Sequence, residues 1–201
     1  MPRLAEARRS EIVSDEIQSA LQNMFGDRDP EVEPGANNGT PGNWWTVFAT
    51  EPGIFHLTEL RHQWQYSPER SVDPVHREIA IARTGWARGS QFVFSQHSKI
   101  MRRQGIPEEK IQAIPHWATS SAFTEDELLV LGYTDDLVLN SGRVSDQRFA
   151  ELRKHLSDVA ILELTFMVCT YEMSAKMCLA LKLEFDDRPD PVVEFEPPER
   201  N

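Results

Sequence analysis

The stretch that decides the fold runs from Arg77 to His97: Arg77-Glu78-Ile79-Ala80-Ile81-Ala82-Arg83-Thr84-Gly85-Trp86-Ala87-Arg88-Gly89-Ser90-Gln91-Phe92-Val93-Phe94-Ser95-Gln96-His97. It reads as two consecutive helices. Asp73-Pro74 opens the first, because Asp accepts free backbone N–H groups and Pro is tolerated in a first turn. Gly89 stops it, Ser90 caps the second, and Gly105 ends that one after Gln104. On the first helix Glu78, Ala82, Gly85 and Trp86 share a face. On the second, Ser90, Val93, Phe94, His97 and Met101 recur at three- and four-residue spacing and share another. Antiparallel packing brings Glu78 towards His97, with small Ala82 and Gly85 permitting close approach.

Outward from this pair the pattern stays helical. Ile12, Ile17, Leu21 and Phe25 predict a helix over 10–25, with Ser10 or Ser14 as its cap. A turn-rich stretch follows over 26–42. Helix resumes over 43–66, interrupted near Glu51-Pro52-Gly53. Ile106-Pro107-Glu108-Glu109 starts a short helix with acids at its positive end. Thr124-Glu125-Asp126-Glu127 has the form of a capping box. Ser145 caps a segment containing Phe149 and Leu152. Ser157-Asp158 precedes the longest helix, 158–183, apolar on most faces and therefore suited to a core or a subunit interface. The tail, 187–201, reads as loosely attached. No segment alternates as a strand does, so the fold class is all-α with six to nine helices.

Composition sets the bounds. A chain of 201 residues suits one domain over 1–201. A net charge of −11 argues against nucleic acid or an anionic membrane surface as partner. No uninterrupted apolar run approaches the roughly 20 residues that span a bilayer. Met1 to Arg9 lacks the apolar block of a secretory signal, so a cytoplasmic protein is expected. Cys169 and Cys178 stand nine residues apart on one helix, on nearly opposite faces, and are expected to be buried free thiols. His56/His62 and His116/His155 lack metal-binding helical spacing, and no metal site is predicted.

The quoted stretch resembles the signature of the carboxymuconolactone decarboxylase/alkylhydroperoxidase-D-like superfamily, best over 73–115. In the alkylhydroperoxidase branch a Glu lies twelve residues before the first Cys of a Cys-x-x-Cys, and a His lies four after the second. Glu78 and His97 match the Glu and the His, whereas Ser90 and Val93 stand at the two cysteine positions. Dithiol peroxidase chemistry needs an attacking thiolate and a resolving thiol, and this site has neither. The resemblance therefore implies the decarboxylase-like chemistry: a cofactor-independent enzyme acting on a small carboxylated or lactone-type substrate. His97 is then the general acid/base and Glu78 its partner. Arg83 or Arg88 would hold a carboxylate. Ser90, Trp44, Trp45, Trp86 and Phe94 would line the substrate pocket. The alternatives are an alkylhydroperoxidase-like antioxidant protein without the redox dithiol, and a non-catalytic ligand-binding protein. A homo-oligomer, trimer or hexamer, is also implied.

Simpler readings stand beside these. Glu78 can form a salt bridge with Arg77 or Arg83. The tryptophans can be ordinary core, and Lys99, Arg102 and Arg103 a solvated face.

Overall fold

The computed structural model describes residues 2–30 and 42–183. Most of the turn-rich 26–42 stretch and all of the tail over 187–201 lie outside these residues. Among them there are nine α-helices and no strand, so the all-α reading holds. The described residues divide into two compact units, 2–30, 42–67 and 177–183 in the first and 68–176 in the second.

The first unit holds α1 (Asp15–Phe25), α2 (Gly42–Phe48) and α3 (Pro52–Gln65). Ser14 rather than Ser10 caps α1, its Oγ accepting from Ile17 N. Residues Arg9–Glu11 form a 3-10 turn instead of the predicted start of that helix. Ile17, Ala20, Leu21 and Phe25 are its buried face. Trp44 packs its ring 4.3 Å from Phe48, and Trp45 sets its edge against Phe55 at 5.6 Å.

The second unit is built on α4 (Pro74–Ala87) and α5 (Gln91–Arg103). Asp73 Oδ1 accepts from Val75 N and His76 N, and Pro74 takes the first turn as expected. Every residue of α4 from Arg77 to Gly85 is buried. The chain reverses at Gly89, where a φ of 65° favours glycine. Ser90 N then donates to Gly85 O, and Ser90 Oγ accepts from Val93 N to start α5. Gly85 lies against Val93 and Phe94 while Glu78 reaches His97, so the two helices run antiparallel.

Around this hairpin lie α6 (Glu108–Ala113), a 3-10 turn over Ile114–Thr119, α7 (Glu125–Val138), α8 (Asp146–His155) and α9 (Asp158–Leu181). Both halves of the Thr124–Glu127 capping box form at the start of α7. Ser145 Oγ caps α8 through Arg148 N. Glu163 on α9 is buried but spent on structure: Oε2 accepts from Ser71 N and Val72 N, and Oε1 pairs with Arg70.

By length and composition alone α9, 24 residues long, is apolar enough to cross a bilayer. Its Thr, Glu and Ser residues break up any continuous run, which is why a search for uninterrupted apolar sequence passes over it. Val159, Leu162, Phe166 and Met173 on α9 are exposed.

Candidate active site

Glu78 and His97 are brought together. Glu78 is 0 % exposed and His97 3 %. Their hydrogen bond joins His97 Nδ1 to Glu78 Oε2 at 2.7 Å. The other carboxylate oxygen, Oε1, accepts from Arg77 Nε at 2.8 Å. Burial pushes the Glu78 carboxyl up, but the charges and hydrogen bonds of His97 and Arg77 outweigh it and leave the group below the usual carboxylate value. A carboxylate can only accept hydrogen bonds, so an ionised Glu78 calls for a ring hydrogen on Nδ1. The Glu78 contact is made through Nδ1, which leaves Nε2 on the far side of the ring.

The walls of this pair are apolar and aromatic. Tyr171 of α9 meets the His97 ring at 4.6 Å between centroids and 89° between planes. Ile81, Val93 and Ala175 pack with Tyr171 in one buried cluster. Trp86 and Phe94, both expected as pocket lining, touch edge to face at 5.6 Å. Ser90 is buried at the head of α5, with its hydroxyl engaged in the helix cap. Trp44 and Trp45 belong to the first unit and pack among the aromatic residues there.

The two candidate anion holders differ. Arg83 is corrected to a structural residue: Nε and Nη2 grip Asp135 at 2.7 and 3.0 Å, and Nη1 donates to the carbonyls of Ile114 and Pro115. Its donors are directed at the junction of α4, α7 and the 3-10 turn, where Trp117 Nε1 also donates to Asp135. Arg88 keeps capacity. Its Nη2 donates to Glu172 Oε1 at 2.5 Å and to Val138 O, but its buried Nε has no partner.

The cysteines also need correction, since Cys169 is exposed and only Cys178 is buried. Helical spacing placed them on different faces without telling which face is wet. Burial pushes the Cys178 thiol up to about 12, and burial together with the Glu172 charge raises Cys169. Neither environment favours a thiolate. Tyr171 was not foreseen, because its place beside His97 depends on how α9 packs and leaves no local trace. Arg77 was foreseen only as an alternative salt-bridge partner for Glu78; the structure gives Glu78 both partners at once.

The Glu78 environment has a pH signature. Its folded pKa lies below its unfolded value, so the stability it contributes is present above the unfolded carboxylate range and is lost as pH falls through the folded pKa. In denaturant melts, the stability gap between the parent and Glu78→Gln is expected to be full at neutral pH and to narrow below about pH 4. A gap that widens on acidification contradicts this assignment.

Residues 56–136, which include the α4–α5 hairpin, match the model of the carboxymuconolactone decarboxylase family. An uncharacterized peroxidase-related protein from Ralstonia eutropha JMP134, described as an alkylhydroperoxidase AhpD core, has the same fold, with a TM-score of 0.75 over 92% of this chain and 93% of that one at 15% identity. The chain thus resembles the carboxymuconolactone decarboxylase family over the segment that holds the hairpin and shares its fold with the AhpD core. It is also similar to the uncharacterized Escherichia coli K12 protein YnjA, 27% identical across 72% of this chain and 78% of YnjA. The debrominase Bmp8 shares the fold at a TM-score of 0.71 and 14% identity, over 90% of each chain. Glu78 and His97 both lie within the matched segment, with Ser90 and Val93 between them in sequence.

Proposed function

We propose that this protein is a cofactor-independent acid/base enzyme of the carboxymuconolactone decarboxylase type, acting on a small carboxylated or lactone-type substrate. The observation that carries this reading is the buried 2.7 Å hydrogen bond between Glu78 and His97. It holds the imidazole in one orientation and leaves Nε2 to exchange a proton with a ligand. In the reaction the bond between a lactone carbon and its carboxylate breaks and carbon dioxide leaves. The electron pair enters the conjugated system, and His97, after taking a proton from solvent on Nε2, delivers that proton to complete the product and returns to the neutral ring. Arg88, at the end of α4, is the candidate carboxylate holder, and Trp86 and Phe94 are the candidate walls of the ring. A structure of a cysteine-to-alanine variant of Bmp8 contains 2,3,4-tribromopyrrole, which supports a small unsaturated ring as the class of ligand.

A thiol peroxidase reading finds less support. Serine and valine stand where the resemblance places the redox pair, and the two cysteines on α9 have raised thiol pKa values.

The test is carbon dioxide release from carboxymuconolactone. Turnover is expected from the parent and from the double variant Cys169→Ser/Cys178→Ala, and is expected to fall about 10²–10⁴-fold in His97→Gln. Hydroperoxide reduction that disappears with the two cysteines, without decarboxylation, would sink the proposal.

A further inference from the structure

We propose that Arg77 is a positioning residue that fixes the tautomer of His97, so that Nε2 is the basic nitrogen. The chemical consequence rests on the acid/base reading above, but the tautomer does not.

The argument is one of charge in a dry place. The side chains of Arg77, Glu78 and His97 are 7, 0 and 4 % exposed. A carboxylate beside a neutral imidazole would by itself leave one net negative charge in that environment, and desolvation favours its protonation. A protonated Glu78 would then donate its O–H to Nδ1. The ring hydrogen would move to Nε2, turning that atom from a proton acceptor into a donor. The guanidinium at 2.8 Å from Oε1 removes the reason for this exchange. With Arg77 in place the three groups sum to zero charge, Glu78 remains an acceptor on both oxygens, and Nδ1 keeps its hydrogen.

The residues shown packing on the imidazole bring no charge of their own. Ile81, Val93 and Ala175 are apolar, and Tyr171 presents an aromatic ring to the imidazole. Lys99, two residues along α5, projects about 200° round the helix from His97. Neighbouring residues on a helix do not ordinarily face one another. The long Arg77 side chain turning onto the carboxylate next to it is therefore a specific arrangement and not a default of the backbone.

The experiment uses the full chain labelled with nitrogen-15 in its histidines, read by long-range proton–nitrogen correlation at pH 7.5. The His97 signals are those missing from His97→Gln. In the parent, Nδ1 is expected to give the hydrogen-bearing signal and Nε2 the lone-pair signal. In Arg77→Met the two assignments are expected to exchange, and Arg77→Lys restores the parental pattern through its charge. Arg77→Gln, which keeps a donor without the charge, is expected to exchange them as Arg77→Met does and serves if that variant does not fold. A parental tautomer in a folded Arg77→Met or Arg77→Gln protein overturns the proposal, as does a parent that already carries its hydrogen on Nε2. Exchanged tautomers with unchanged turnover would support the role of Arg77 and count against the acid/base reading instead.

Discussion

Replacing His97 with glutamine is expected to lower kcat for decarboxylation by about 10²–10⁴-fold, the range in which a positioned acid/base group contributes. KM is expected to change little, because the ring acts on the proton in flight more than on the bound ground state. The fold should survive, since Glu78 keeps the Arg77 contact on Oε1 and glutamine can still donate to Oε2. Steady-state kinetics paired with a circular dichroism melt check both parts. A folded His97→Gln protein with parental kcat would remove His97 from the chemistry.

The largest expected effect on stability comes from Gly85→Ala. An added Cβ would lie 2.6 Å from Phe94 N, 3.0 Å from Val93 Cγ1 and 3.1 Å from Phe94 Cα. Two of these atoms are backbone, so no change of rotamer relieves the contact and α4 and α5 must move apart. Overpacking of this kind costs about 3 kcal/mol, which for a chain of this size lowers Tm by roughly 6–12 °C. The same movement lengthens the Glu78–His97 contact, so turnover should fall with stability. Gly53→Ala is the control: its Cβ meets only the Glu51 carboxylate, at 3.3 Å or more, and a flexible side chain can yield. Equal melting temperatures for Gly85→Ala and the parent would mean that the helices are not held at this distance.

These two results concern one hairpin, and the hairpin is the part of the molecule most legible in the sequence. Asp73, Ser90, Thr124 and Ser145 could be recognised as caps because a cap depends only on the next few residues. The approach of Glu78 to His97 could be read because a helix face and two small residues fix the register between neighbouring helices. What could not be read depends on partners distant in sequence. Arg83 looked available for an anion, but Asp135 lies 52 residues away and closes a bidentate pair with it. Helical periodicity separated Cys169 from Cys178 without showing that the first is exposed. The 3-10 turn at Ile114–Thr119, whose carbonyls complete the Arg83 site, follows α6 with no polar cap to announce it.

The sequence also left open whether Glu78 serves structure or chemistry. The geometry combines the two, with one oxygen on a buried arginine and the other on a buried imidazole. A purely structural carboxylate predicts loss of stability on substitution and turnover lost only in proportion to unfolding. A carboxylate that orients a proton-transfer group predicts loss of turnover in protein that is fully folded.

The most direct measurement is a double-mutant cycle on decarboxylation with Glu78→Gln, His97→Gln and the combined variant, using folded protein at neutral pH. If Glu78 acts through His97, the combined variant should be about as slow as His97→Gln alone, because removing the imidazole leaves its partner nothing to orient. Losses that multiply across the two positions would show that the residues act independently and would contradict the account of the pair as one catalytic unit.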